Sequence, residues 1–451
     1  MHTINPLIDR PISRRRTQRG LIASILLALV VLGLTPAPSQ ASSSQTSSFY
    51  SYTGKTPLAS LAPGTVLKTR TLLYHVLGVP LPLQAVQILY RSTNELGQPT
   101  ANVTSVVRPL LQLGQSKIVS YQSFYDSLSP ADEPSVAIAG GVSLGGLIPD
   151  VETAMFAPLL LAGYTIVIPD TEGQAADFAA GPEYGMNTLD SLRAVTASSQ
   201  LGLSSSAKIG MMGYSGGAIA TEWAAELAKS YAPDLAGRII GSAIGGVFVD
   251  PLRNLSYIQG SPLWSGLIPV ALNGLARSFH LDLTPYLNSY GVGLLQQTQT
   301  ASILTALGAH PGLTWKQIAK PAYPTAQSVP ALVTTTNQLI MGSRGTPTSP
   351  MFIGQGNGGY VEGTSGGTPG IGAGDGVMVT GDVRTLARQY CTHGVAIDYQ
   401  EYDGLSHLLS TAPWLPQAYS WLMDRFAGRK APSNCSTIKP GNPIGPVAVS
   451  R

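Results

Sequence analysis

Gly213-Tyr214-Ser215-Gly216-Gly217 stands between a short apolar run, Lys208-Ile209-Gly210-Met211-Met212, and a helix-forming run from Ala218 to Ala228. A serine between a strand and a helix, flanked so closely by glycines, predicts a strained strand-to-helix turn. Such a turn lifts the hydroxyl clear of the sheet and leaves the next N–H at a helix start. Side chains beside so sharp a turn would meet the neighbouring strand and helix, hence the glycines. A chain built around this turn needs an inner strand followed by a packed helix, and Ser215 is the first candidate for a covalent nucleophile.

The pentapeptide alone decides nothing, because 50 of the 451 residues are glycine and two other segments fit the same pattern. Gly363-Thr364-Ser365-Gly366-Gly367 has no strand before it and Pro369 soon after it, so nothing would hold a turn there. Gly141-Val142-Ser143-Leu144-Gly145 follows a run with strand character over 136–139. There, Gly145, Gly146 and Pro149 delay the next helix to about Asp150 and leave Ser143 in a loop.

The length allows one large α/β domain with an inserted subdomain. Residues 1–41 read as an export signal: Arg10, Arg14, Arg15, Arg16 and Arg19 precede an apolar stretch over 21–34, with small residues at Ser39 and Ala41. The stretch is short for a membrane span, so the chain is expected to be secreted, with no stable transmembrane segment after cleavage near Ala41. The leader holds five of the 27 basic residues and one of the 24 acidic ones, which leaves the mature part with a net charge near −1. No basic patch interleaved with aromatics remains, which argues against nucleic acid as a partner. Cys391 and Cys435 are the two cysteines. In an exported chain such a pair reads as a disulfide stapling the C-terminal tail to the last helix-and-strand unit. The six histidines show no metal-binding spacing, and neither a metal nor a cofactor is expected.

After a Ser/Pro-rich arm over 42–63, strand-like runs at 86–90, 103–107, 117–121 and 165–168 alternate in their later part with helical stretches at 151–161 and 189–198. That alternation predicts a mostly parallel central sheet with helices on both faces, spanning 64–250, with a further strand over 239–249. Residues 251–325 break the pattern, being rich in Leu, Gly, Pro and aromatics without a clear strand, and read as an inserted helical cap. The sheet resumes over 326–430: a strand at 350–354, a glycine-rich loop over 355–374, a helix at 382–390, a strand at 395–402, a loop holding His407 and a last helix at 415–426. Residues 431–451 form a tail.

A serine hydroxyl needs a base, and the base needs a carboxylate to fix its tautomer. His407, just after a late strand, is the better-placed base; His393 sits before Gly394 at a helix end, where a capping histidine belongs. For the acid, Gln355 and Asn357 come first after the strand but carry no charge. Asp375 and Glu362 are the credible carboxylates, with Asp375 ahead on pattern, and Asp382 reads as a helix N-cap.

Three stretches carry a family resemblance: Gly163-Tyr164-Thr165-Ile166-Val167-Ile168-Pro169-Asp170-Thr171-Glu172-Gly173, the pentapeptide with Ala218 and Trp223-Ala224, and Ser230-Tyr231-Ala232-Pro233-Asp234-Leu235. Together they resemble the secretory lipase family of the fungal lipase A type, within the α/β-hydrolase superfamily, over most of 63–428. The resemblance implies a triad of Ser215, Asp375 and His407, and an oxyanion hole from the N–H groups of Gly216 and Asp126. It also favours Asp375 over Glu362, because the family's even spacing of acid, half-cystine and histidine recurs here at 375, 391 and 407. The implied activity is hydrolysis of lipid or other fatty-acid esters; transfer of the acyl group to another acceptor, polyester cleavage or non-catalytic binding are the alternatives. This chain departs from the family in lacking its other disulfide, in having Thr171 where a histidine is usual, and in the glycine-rich insertion over 355–374.

Overall fold

The computed structural model of the protein describes residues 48–110 and 116–450. The export signal expected over 1–41 and the start of the arm lie outside the described residues. Among the described residues nine strands form one sheet: β1 (Val66–Val76), β2 (Val79–Thr93), β3 (Pro99–Val107), β4 (Lys117–Gln122), β5 (Thr165–Pro169), β6 (Lys208–Tyr214), β7 (Ile239–Gly245), β8 (Met351–Gly356) and β9 (Ile397–Tyr402). Their spatial order is β1-β2-β3-β5-β4-β6-β7-β8-β9. The first three pair antiparallel, as do β3 and β5, while β5, β4, β6, β7, β8 and β9 run parallel. β1 and β2 are joined through Leu77 and Gly78, both at positive φ, the geometry of a tight hairpin. Among the parallel strands, β5, β6, β7 and β8 are largely apolar because both faces are covered, whereas the edge strand β9 alternates buried Ile397 and Tyr399 with Asp398 and exposed Gln400.

Alternate side chains along these strands feed two cores. Ile209, Met211, Ile244 and Ile353 pack with the helices Gly181–Ala197, Gly216–Tyr231 and Thr380–Thr392. Val119, Ile166, Met212 and Phe352 pack with Leu147–Leu161 and His407–Phe426 on the other side. β4 lies between β5 and β6, so the chain crosses back over it after β5. The loops leaving β4 and β6 therefore meet at the carboxyl ends of the strands, the switch point at which open α/β sheets place ligands.

Between β7 and β8 the chain forms helices Pro251–Ile258, Leu267–Ser278, Ser289–Gln297, Ile303–Ala306, Trp315–Ile318 and Pro330–Thr336, which share a third apolar cluster. Asp250 and Asn288 cap two of them, accepting from Leu252 and Arg253 N–H and from Gly291 N–H. The helical run extends past residue 325 to Thr336, since Pro330 starts a helix at its first position rather than ending the run.

Several elements differ from the pattern expected of the sequence. Residues 136–139 are not a strand but lie in and just after the helix Pro134–Ile138, started by Pro134. The strand expected over 239–249 stops at Gly245. His407 is not in a loop: it is the first residue of the helix His407–Phe426, capped by Ser406, which begins well before the expected 415 and runs through Pro413 and Pro416. Asp382 is not an N-cap; Val379 holds that position, and Asp382 pairs with Arg253 at 3.0 Å. Cys391 and Cys435 form a disulfide with Cα atoms 5.7 Å apart. It staples the tail beside Ile438, which packs into the core.

Candidate active site

Ser215 adopts φ +54° and ψ −120°, a conformation costing a non-glycine residue on the order of 1–3 kcal/mol. The surrounding backbone enforces it. Ser215 N–H donates to Gly245 O at 2.9 Å, and Ala218 N–H closes on Ser215 O at 2.8 Å. A Cβ at Gly213 would lie 2.1 Å from Gly217 O, and one at Gly217 2.0 Å from Gln122 O. Both glycines are thus required by contact with backbone, which cannot yield as a side chain can.

The strained turn delivers Ser215 Oγ to 2.9 Å from His407 Nε2, and His407 Nδ1 lies 2.8 Å from Asp375 Oδ2. Asp375 is fully buried; its Oδ1 accepts from Val377 and Met378 N–H at 3.1 and 2.8 Å, and its Oδ2 from Gln355 Nε2 at 2.9 Å. The Asp375 carbonyl also takes His407 N–H at 2.6 Å, and Tyr214 OH donates to His407 O at 2.6 Å. Burial disfavours a charged His407, but Asp375, with smaller contributions from Glu362 and Asp126, outweighs it and holds the imidazole pKa above its ordinary value. Ser143 and Ser365, the serines of the other two pentapeptides, take no part: Ser143 Oγ accepts from Gly146 N–H in a loop, and Ser365 is exposed.

Opposite the elbow, Asp126 leaves β4 with φ +34°. It lies so near that a Cβ on Gly216 would fall 1.7 Å from its Oδ1. Among the described residues, neither the Gly216 N–H nor the Asp126 N–H has an acceptor within the protein. The Asp126 loop is held by two buried carboxyl groups. Glu152 accepts from Tyr121 OH, Phe124 N–H and Ser123 Oγ, and Glu172 from Ser127 N–H and Tyr184 OH. Burial pushes Glu152 up to about 8, against the pull of those donors, and Asp126 up to about 7, against the charge of His407.

The secretory lipase family profile matches residues 140–365. This chain belongs to the secretory lipase family. It is 28% identical over 394 residues to Lipase 4 of Candida albicans, covering 84% of this chain and 81% of that one. It is 32% identical over 378 residues to a protein of Mycobacterium tuberculosis named a probable inactive lipase, covering 81% and 79% of the two chains. Its fold matches that of Candida antarctica lipase A in its closed state, with a TM-score of 0.73 at 25% identity over 86% of this chain and 87% of that one. The protein is therefore a lipase-type α/β-hydrolase. Since one relative carries a name denoting inactivity, membership does not fix activity; the side chains at the site must.

In this secretory lipase a cavity opens beside Ser215 and runs under the helices that follow β7. Of its twenty-two lining residues only Asp126, Ser215, Asn254 and Thr336 are polar. The rest, among them Phe178, Leu255, Ile258, Trp264, Ile268 and Leu275, present hydrocarbon. Asn254 Nδ2 donates to Val377 O and Thr336 Oγ1 to Leu332 O, so most of the wall offers a ligand apolar contact, and Ser215 presents its hydroxyl to the cavity. The described residues contain no group of His, Cys, Asp or Glu able to hold a metal ion. None of their helices is long and apolar enough to cross a membrane.

Sequence reasoning missed three supports. Gln355, set aside for carrying no charge, orients the acid and also accepts from Val247 N–H at 3.0 Å. Glu152 and Glu172 sit within ordinary helix and loop sequence, and nothing in their spacing reports that they hold the Asp126 loop.

Proposed function

We propose that the protein is a secreted serine carboxylic-ester hydrolase of the triacylglycerol lipase type, cleaving acylglycerols or other fatty-acid esters. The observation that carries this reading is the Ser215–His407–Asp375 chain of contacts at the mouth of an apolar cavity. Ser215 Oγ attacks the ester carbonyl while His407 Nε2 takes its proton; the imidazolium formed is stabilised by Asp375. The carbonyl oxygen becomes an oxyanion facing the Gly216 and Asp126 N–H groups, each such donor being worth about 3–4 kcal/mol in the transition state. The tetrahedral species collapses, His407 gives its proton to the departing alcohol, and Ser215 remains acylated. Water then attacks the acyl-enzyme with His407 again as base, releasing the acid and restoring the serine.

The cavity selects by hydrophobicity, since a chain of methylenes gains about 0.8 kcal/mol per group buried. With four polar residues among the twenty-two that line it, it suits a fatty acyl chain better than a polar acid. The test is labelling with a fluorophosphonate probe and hydrolysis across p-nitrophenyl esters of rising chain length. Covalent labelling at Ser215, together with a specificity that climbs beyond acetate, is expected. A folded protein that takes no label and cleaves no ester overturns the reading.

A further inference from the structure

Of the glycine-rich stretch expected as a loop over 355–374, Gln355 and Gly356 belong to β8, and the rest, between β8 and the acid, is not idle. Its short turn Gly359–Glu362 ends on a carboxylate that reaches two other elements. Glu362 Oε1 accepts from Leu408 N–H at 2.9 Å, in the first turn of the helix that carries His407. Glu362 Oε2 accepts from the Trp264 indole N–H at 2.8 Å, in the helical segment between β7 and β8. The Trp264 ring lines the apolar cavity and stands edge-on to the His407 imidazole, with centroids 5.3 Å apart and planes at 86°.

The first N–H groups of a helix have no partner within it, and whatever accepts from them sets how the helix begins. Here three successive donors are taken: His407 N–H by Asp375 O, Leu408 N–H by Glu362, and Leu409 N–H by Ser406 Oγ. The imidazole hangs from the first of these residues, so the acceptor on the second helps to fix where Nε2 points. The clamp also bears on the acid. Gly376, next to Asp375, lies at φ +129°, and a Cβ there would meet Glu362 Oε2 at 2.6 Å and Trp264 Nε1 at 2.9 Å. Buried Thr364 donates to Gly376 O at 2.6 Å and lies 2.9 Å from Ser261 Oγ.

We propose that Glu362 is a positioning residue for the catalytic base, its carboxylate tying Trp264, over the cavity, to the first turn of the helix that carries His407. This inference rests on Ser215, His407 and Asp375 acting as the triad. The charged and titratable groups facing His407 are Asp375 from the acid loop, Glu362 from the insertion and Asp126 from the β4 loop. Tyr214 from β6 packs on the ring, and Tyr257 lies near both Asp375 and Glu362. Glu362 therefore both orients the imidazole and favours the imidazolium formed in the transition state.

The test measures kcat and KM for p-nitrophenyl butyrate from pH 5 to 9 for the wild type, Glu362→Gln, Trp264→Phe and the double variant. Melting curves confirm that each variant is folded. Glu362→Gln keeps one acceptor but turns an amide donor toward the indole and removes the charge. It is expected to lower kcat about tenfold with KM within about twofold, and to move the acidic limb of kcat/KM to lower pH by about half a pH unit. Trp264→Phe keeps a ring over His407 but leaves the carboxylate with one donor fewer, so its acidic limb is expected to move to higher pH. The double variant should be no slower than Glu362→Gln, as expected for two parts of one linkage. An acidic limb unmoved in both single variants, or losses that simply multiply in the double, would overturn the inference. A folded wild type that neither hydrolyses the ester nor labels at Ser215 would instead overturn the triad.

Discussion

The pentapeptides beginning at Gly213 and Gly363 share the order glycine, aromatic or hydroxyl residue, serine, glycine, glycine, yet they end in opposite roles. In the first, each glycine is pressed by a neighbour: Gly217 by Gln122 O, Gly213 by Gly217 O and Gly216 by the Asp126 carboxyl. In the second, a Cβ on Gly367 would meet nothing nearer than Ser365 Oγ at 3.9 Å, and only Gly363, at φ +81° against Pro262, and Gly366, against Ala373, are confined. The difference lies in the flanks. β6 and the helix Gly216–Tyr231 grip the first segment between buried layers, whereas the second has a turn before it and loop after it. The same letters make a rigid serine in one setting and an exposed one in the other; what the second keeps is Thr364, whose buried hydroxyl secures the acid loop.

Removing the two serines breaks this comparison most sharply. Ser215→Ala is expected to lower kcat for p-nitrophenyl esters by about 10⁴-fold or more with the fold intact. Ser365→Ala should leave kcat and KM within about twofold of the wild type. Activity surviving in Ser215→Ala, as read from initial rates, would dissolve the distinction.

The glycines give the next largest effect. Gly217→Ala drives a Cβ into a backbone carbonyl, which has no rotamer to escape through. The cost should exceed about 3 kcal/mol, read as a fall in the denaturant midpoint or a failure to fold. Gly367→Ala meets open space at an ordinary φ and should change stability by less than about 0.5 kcal/mol. Equal losses in the two would mean that burial by flanking layers is not what separates them.

These contrasts also mark what the chain discloses before folding. The turn at Ser215 and the alternation of strands and helices were legible because local pattern determines them, and the disulfide because Cys391 and Cys435 are the two cysteines of the chain. His407 was placed in a loop ahead of a helix starting at 415, whereas Ser406, Glu362 and the Asp375 carbonyl, the last two far away in sequence, take the first N–H groups and begin the helix at His407. Asp382 looked like a cap because a local rule favours it there, but a partner far away in sequence, Arg253, claims it. The hold of Glu152 and Glu172 on the Asp126 loop was invisible, because contacts between residues tens of positions apart leave no periodicity. The choice of Asp375 over Glu362 needed a family spacing, and the structure accounts for both carboxylates, one on the imidazole and one on the helix that carries it.

pH separates the pentapeptides more gently. The carboxyl pressed against Gly216 belongs to Asp126, which burial pushes up to about 7, while no carboxyl bears on Gly367. Below that pH Asp126 is neutral beside the oxyanion site; above it, a negative charge opposes the one that develops on the substrate. With His407 required in its neutral form on the acid side, kcat/KM should trace a narrow bell. Asp126→Asn keeps the backbone N–H and the shape, and should slow the alkaline fall by up to about tenfold at pH 9. Stability follows the same proton. The folded-state pKa lies above the unfolded value, so this contribution is full below about pH 4 and is lost as pH rises toward 7. Melting temperatures measured from pH 4 to 8 should therefore decline less steeply in the variant.

The smallest expected effect tests whether the second pentapeptide matters at all. Thr364 is the one buried side chain in it, and its hydroxyl donates to Gly376 O, one residue from the acid. Thr364→Val preserves shape and burial while leaving that carbonyl without its donor and Ser261 Oγ with only the Trp264 N–H, at a cost of about 1–2 kcal/mol. Because Asp375 keeps its bonds from Gln355, Val377 and Met378, the imidazole should still be held, and kcat should fall only a few-fold. A melting curve and a rate on one ester decide it. A loss of stability without a matching collapse in rate makes the segment a brace, whereas no change in either makes it a passive spacer and leaves the elbow as the one functional pentapeptide of the two.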